Sequence, residues 1–162
     1  MTTWKPALYK SSREGSKIKL VVIHGDAGKS DAGTVEWLHK DPRSKVSYHY
    51  LVGRDATVYQ FVQEEDKAWH AGISEWPDCT VNKSVNAASV GVAFANDGKE
   101  AYRSAQYEAG AKLVADICKR YGIPEGRVVG HYEVSPGRKS DPWKHFDWPT
   151  FRRLVKQHQE VV

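Results

Sequence analysis

Seven histidines in 162 residues, at positions 24, 39, 49, 70, 131, 145 and 158, put imidazole chemistry first among the options. His39 and His158 stand among charged neighbours in helical stretches, and His145 lies in a charged turn, so all three read as solvated side chains. His24 and His131 differ. Each closes a run rich in β-branched residues and has a glycine beside it, in KIKLVVIHG and RVVGH, and strand ends in α/β proteins deliver side chains into a crevice. Either one alone is more often a hydrogen-bonded structural histidine. Together they are half of a zinc site. Asp141, ten residues after His131 on a loop returning to the same sheet edge, is the best placed third ligand. Three N or O donors with a fourth position left for water suit hydrolysis. The chain has no HExxH pair and no CxxC, so the reading rests on the His, His, Asp set itself.

Metal-assisted hydrolysis of a carbonyl compound needs a further positive or hydrogen-bonding group at the developing oxyanion. Lys139, in PGRKSDPW on the loop of Asp141, is the candidate; a surface lysine in a basic loop is the alternative. Tyr48 and His49 fall on opposite faces of their strand, so at most one of them faces the crevice. Tyr48 in that position would orient water or donate to substrate, and otherwise it is a core aromatic. Trp69, Trp76 and Trp143 are candidates for stacking on sugar or peptide, with core packing the alternative for each.

The elements that must hold these residues follow from pattern. KIKLVVIH (17–24) reads as a buried strand, and VSYHYLV (46–52) and TVYQFV (57–62), separated by Gly53-Arg54-Asp55-Ala56, read as a hairpin. SVGVAFAN (89–96) and RVVGH (127–131) are two further strands. TVEWLHK (34–40) is a helix with Thr34 as its cap. Ser104 to Tyr121 is a helix with Tyr107, Ala111, Val114 and Cys118 on one face and Gly122-Ile123-Pro124 as its stop. FDWPTFRRLVKQH (146–158) is the last helix, opened by Asp147 and Pro149. The order predicts an α/β (α+β) domain with a central mixed sheet of about five to six strands flanked by helices. Residues 1–16 are expected to form an N-terminal arm wrapped over a single domain spanning 17–162. The polar, aromatic stretch 63–88 is a long connection of the kind that carries function.

Bulk properties exclude more than they select. A chain of this length with 40% hydrophobic residues buries one core. The longest apolar run is LVVI, too short to span a membrane, and MTTWKPALYK lacks the apolar centre of a signal peptide, so synthesis in the cytoplasm is expected. Twenty-four basic against twenty acidic residues give a net charge of +4, which suits a polyanionic partner. Nucleic acid is disfavoured because there is neither a basic helix nor an aromatic-basic sheet motif. Cys79 and Cys118 are two thiols without motif spacing, read as reduced.

Four segments in order, VVIHGDAG (21–28), SYHYLVGRDATVYQFVQEEDKAWHAGIS (47–74), NAASVGVAFAND (86–97) and GHYEVSPGRKSDPWKHFDW (130–148), resemble the zinc-dependent N-acetylmuramoyl-L-alanine amidase type 2 family, which includes phage endolysins, cell-wall recycling amidases and the peptidoglycan recognition proteins. The resemblance implies zinc on His24, His131 and Asp141, Lys139 as the group that stabilises the tetrahedral intermediate, and Tyr48 beside it. It places His70, in Ala-Trp-His-Ala-Gly, at the substrate groove. It implies hydrolysis of the amide between N-acetylmuramic acid and L-alanine of peptidoglycan, by a monomer that reaches the wall after release from the cell. A non-catalytic peptidoglycan-binding module on the same fold is the rival, disfavoured by the complete ligand set. Two departures stand out. Ala93 occupies the position where recycling members carry a glutamate, which favours the endolysin-type arrangement, and Trp143 replaces the usual glycine after Asp-Pro.

Overall fold

A computed structural model describes residues 2–160; Met1 of the expected arm and Val161 and Val162 of the expected domain lie outside the described residues. Eight strands and four helices follow one another as β1 (Thr2–Trp4), β2 (Lys10–Ser12), β3 (Leu20–Gly25), α1 (Asp31–Lys40), β4 (Tyr50–Val52), β5 (Val58–Gln60), β6 (Asp66–Ala68), β7 (Ser89–Phe94), α2 (Ser104–Tyr121), β8 (Val128–Gly130), α3 (His131–Val134) and α4 (Trp148–Glu160). Six strands form one mixed sheet in the order β1-β5-β4-β7-β3-β8, and β2 pairs with β6 in a separate ribbon. β3 lies parallel to β7 and β8, β4 lies parallel to β7, and the β4-β5 hairpin is antiparallel. The two central strands are buried on both faces, which is why LVVIHG and SVGVAF read as nearly unbroken apolar runs.

Alternation along these strands separates two faces. Val21 and Ile23 of β3 and Val90, Val92 and Phe94 of β7 pack under α2 and α4 in the largest core cluster. His24 of β3 and Ser89, Gly91 and Ala93 of β7 therefore share the opposite face, with His24 in register with Ala93. On the helix side, Tyr107, Ala111, Val114 and Cys118 form the buried stripe of α2, which ends at Gly122 in the left-handed conformation (φ 65°). Gly110 admits the Phe94 ring where any Cβ would come within 2.2 Å of it.

Several boundaries differ from expectation, each for a local reason. α1 starts at Asp31 because Ser30 caps it, its hydroxyl accepting from the Gly33 N–H; Thr34 instead donates to Asp26 at 2.6 Å. The strand expected over 46–52 is regular only from Tyr50, since the Ser47 N–H has turned to the Trp69 carbonyl. β8 stops at Gly130, whose N–H is taken by the Glu133 carboxylate, so His131 opens α3 rather than closing the strand. The first residues do lie against the domain, and they do so as strands: β1 pairs in parallel with β5 and β2 with β6.

Candidate metal centre and cleft

β3 delivers His24 and the start of α3 delivers His131, and their Nδ1 atoms face each other at 3.1 Å. The Asp141 carboxylate closes the triangle, 3.4 Å from His24 Nδ1 and 3.1 Å from His131 Nδ1. One donor atom from each residue lies within 4.8 Å of the other two, and all three residues are buried. Two imidazole nitrogens that close, with a carboxylate between them, need a shared proton or a cation. Two nitrogens and one carboxylate oxygen are a donor set suited to a divalent transition metal, with room for a fourth ligand.

The protonation states agree with that use. Burial, reinforced by His131, holds the His24 imidazole down at about 4, so its ring carries a lone pair at neutral pH. Burial alone would raise Asp141, yet hydrogen bonds from His131 and His24 bring its carboxyl well below the usual carboxylate range. Its Oδ2 also accepts from the Gly25 N–H at 3.2 Å. The outward nitrogens of both imidazoles are engaged: His24 Nε2 with His70 Nδ1 at 2.8 Å, and His131 Nε2 with the Ala71 carbonyl at 3.1 Å.

His131 and Asp141 line the floor of a cleft of about 780 Å³, with His24 buried beneath them. Tyr48 and Lys139 stand in its walls, along with Asp26, Lys45, Lys67, Trp69 and Arg138. The Tyr48 ring centroid is 5.0 Å from that of His24, and burial, with Asp141 and Asp26 adding to it, raises the phenol so that it stays protonated. Lys139 is exposed at the mouth and near enough that its charge helps keep His24 neutral. A second groove of about 440 Å³ runs on past Asp26, Val46 and Tyr48 toward Trp37 of α1.

Comparison with known proteins identifies the family. Residues 14–144 match the family described as N-acetylmuramoyl-L-alanine amidase. The chain belongs to that family. Among relatives, 1,6-anhydro-N-acetylmuramyl-L-alanine amidase AmpD of Salmonella typhimurium is 34% identical over 120 residues, 73% of this chain and 63% of its own length. The chain thus spans less than two thirds of that relative. The structure of the amidase AmiD from Escherichia coli, in complex with anhydro-N-acetylmuramic acid-L-Ala-D-gamma-Glu-L-Lys, superimposes with a TM-score of 0.74 at 32% identity, covering 91% of this chain and 60% of AmiD. A mutant endolysin from Bacillus subtilis shares the fold with a TM-score of 0.73 at 21% identity, over 96% of this chain and 98% of its own.

Within this amidase-family chain the remaining expected site residues separate into two groups. Trp143 borders the cleft as a wedge: its ring lies against Gly25 and Gly98 and stacks on His145 with centroids 5.9 Å apart and planes 4° apart. Gly25 is obligatory there, since a Cβ would fall 2.1 Å from the Trp143 ring. Trp69 is 38% exposed at the rim, where its indole N–H donates to Ser11 Oγ. His70 touches the cleft, yet it is only 4% exposed and both of its ring nitrogens are taken, by His24 and by Ser89 Oγ at 2.9 Å. It has no ring nitrogen left for substrate. Trp76 lies outside the cleft lining and packs on the apolar cluster of Leu20, Val22 and Ala71, so it offers no stacking surface there. Asp26 and Arg138 went unnoticed in the sequence although each adjoins a candidate, Asp26 two residues after His24 and Arg138 directly before Lys139.

Proposed function

We propose that the chain is a zinc-dependent hydrolase of the amide bond between N-acetylmuramic acid and L-alanine in peptidoglycan. One observation carries the proposal: two imidazole Nδ1 atoms and a carboxylate converge within 4.8 Å at the floor of an open cleft. The AmpD and AmiD relatives, whose names state the same bond, supply the substrate class. A zinc ion held by His24, His131 and Asp141 would supply Lewis acidity, lowering the pKa of a water and polarising a carbonyl.

The chain's own groups do the rest. Lys139 offers an ammonium to the carbonyl oxygen as negative charge develops on it. Tyr48, kept protonated by burial, serves as a hydrogen-bond donor at the scissile group rather than as a base. Asp141 stays ionised and fixes the Gly25 end of β3. Ala93, wholly buried beside Leu51, Phe61 and Val62, contributes no carboxylate, so the acid-base work is left to the residues at the rim. Lys45, Lys67, Arg138 and Lys139 give the cleft a positive rim that matches the carboxylates of a stem peptide.

Ala93 favours the endolysin-type role, in which the enzyme made in the cytoplasm acts as a monomer on the wall polymer after release. The 34% identity to AmpD favours the alternative, cleavage of released anhydromuramyl peptides. Purified sacculi and anhydromuramyl peptides, each digested with and without a chelator and assayed for new L-alanine amino termini, test both readings. Chelator-sensitive release from sacculi supports the polymer role, and release from the small fragment alone supports recycling. New reducing ends would identify a glycosidase, and no cleavage together with no zinc uptake would leave a binding module.

A further inference from the structure

The two ligand imidazoles are aimed by adjacent residues of one segment. For Nδ1 of each to carry a lone pair toward a cation, each ring must hold its proton on Nε2. His24 Nε2–H then donates to His70 Nδ1 at 2.8 Å, and His131 Nε2–H donates to the carbonyl of Ala71, the next residue, at 3.1 Å. The chain of donors continues without conflict. His70 must accept at Nδ1, so its Nε2–H donates to Ser89 Oγ at 2.9 Å, and the Ser89 hydroxyl donates to the Val85 carbonyl at 2.7 Å. The segment itself is clamped, because the Asn86 side-chain oxygen accepts from the N–H of both His70 and Ala71, at 3.3 and 2.8 Å. Gly91 leaves the slot in which the His70 ring lies: a Cβ there would come within 2.5 Å of that ring.

We infer that His70 and Ala71, clamped by Asn86, are a positioning strap that fixes the tautomer and orientation of both imidazole ligands at once. The inference rests on the metal-centre reading above, and its residues act through the two imidazoles rather than on the metal itself. Outer partners of ligating histidines usually change metal affinity by about 10- to 100-fold. Because one segment serves both rings, a disturbance at residue 70 or 86 reaches two ligands together.

The experiment has two arms. In wild-type protein loaded with zinc, long-range proton–nitrogen NMR reads the tautomer of each ring. His24, His131 and His70 are all expected as Nε2–H; an Nδ1–H His70 would overturn the inference, since it would donate into the nitrogen that has to carry the His24 proton. In the second arm, zinc affinity is measured by competition with a chromophoric chelator, beside the melting of the metal-free protein. His70→Leu, which removes the acceptor, is expected to weaken zinc binding about 10- to 100-fold. His70→Asn, which keeps an oxygen at the Nδ1 position, is expected to restore most of it, a rescue that a purely packing role would not give. Wild-type zinc affinity in a folded His70→Leu protein would overturn the strap and leave the metal centre standing. Failure of the wild-type chain itself to take up zinc would overturn both.

Discussion

At the floor of the cleft His24 is 1% exposed with both ring nitrogens engaged, whereas at the rim Lys139 is exposed and its ammonium has no hydrogen bond or ion pair among the described residues. The floor is over-determined: strand register places His24, the Asn86-clamped segment meets both imidazoles, and the Gly25 N–H holds Asp141. At the rim Lys139 is held at its backbone, where its N–H bonds the Ser135 carbonyl, and its ammonium is left for a ligand, whereas the Arg138 guanidinium is tied to the Ala71 and Ile73 carbonyls. A floor proposed to hold a cation cannot tolerate movement, and a rim proposed to meet changing charge on a substrate gains from unpaired groups. The two regions should therefore fail differently.

The largest effect is expected from the floor. His131→Ala removes one of three ligands and leaves His24 and Asp141 without their common partner, so zinc affinity should fall beyond the about 100-fold seen for outer partners, with activity at background. Calorimetric titration with zinc checks it, and retained tight binding would mean that the triad is not the metal site. At the rim, Lys139→Ala should bind zinc as the wild type does and lose about 10²- to 10³-fold in kcat, the usual cost of one oxyanion donor. If zinc binding fell with turnover, Lys139 would belong to the floor and the contrast would collapse.

How much of this was readable beforehand follows the same division. α2 was legible because Tyr107, Ala111, Val114 and Cys118 repeat at helical spacing, and β3 and β7 because strands buried on both faces cannot hide their apolar runs. The two histidines of the triad stood out beside glycine at the ends of such runs. β1 and β2 were not legible: TTW and KSS are three-residue, largely exposed strands whose pairing is decided by the partners β5 and β6. Thr34 was mistaken for a cap because Ser30, four residues earlier, precedes a stretch with little apolar pattern of its own. The strap was hidden for another reason. Asn86 meets His70 and Ala71 across a connection with almost no regular structure, and no spacing rule covers such a contact. Only the face shared by Ser89, Gly91 and His24 could have been derived from alternation.

Gly91→Ala sharpens the contrast from the packing side. The added methyl would press on the His70 ring at 2.5 Å, and Gly91 is itself tied to a second buried histidine, its N–H donating to His49 Nδ1. Overpacking of this kind costs about 1–3 kcal/mol. Chemical denaturation of the metal-free protein should show that loss, with a drop in zinc affinity because the displaced ring is the partner of His24. A stability loss with zinc affinity unchanged would confine Gly91 to packing.

The smallest effect, taken per group, is the pH dependence of the metal-free fold, and its sign distinguishes floor from rim. Burial first, then neighbouring positive groups, holds His24 and His49 at about 4 and pushes His70 well below its ordinary value. Above about pH 6.5 these rings are neutral in both folded and unfolded chains and contribute no pH dependence. As the pH falls below that value the unfolded chain takes up protons that the folded chain refuses, so stability declines, by up to about 1.4 kcal/mol per pH unit for each ring. The decline from His24 and His49 ends near 4, where the folded rings protonate as well. Asp141 acts in the same direction in a lower window, below the usual carboxylate range, because its carboxyl is depressed in the fold. Urea unfolding of the metal-free protein at a series of pH values should give this slope. His49→Gln, which leaves all three ligands in place, should reduce it by one group's share, whereas Lys139→Ala should leave it nearly intact. A slope that vanished in Lys139→Ala would mean that the rim charge, rather than burial, keeps the floor neutral.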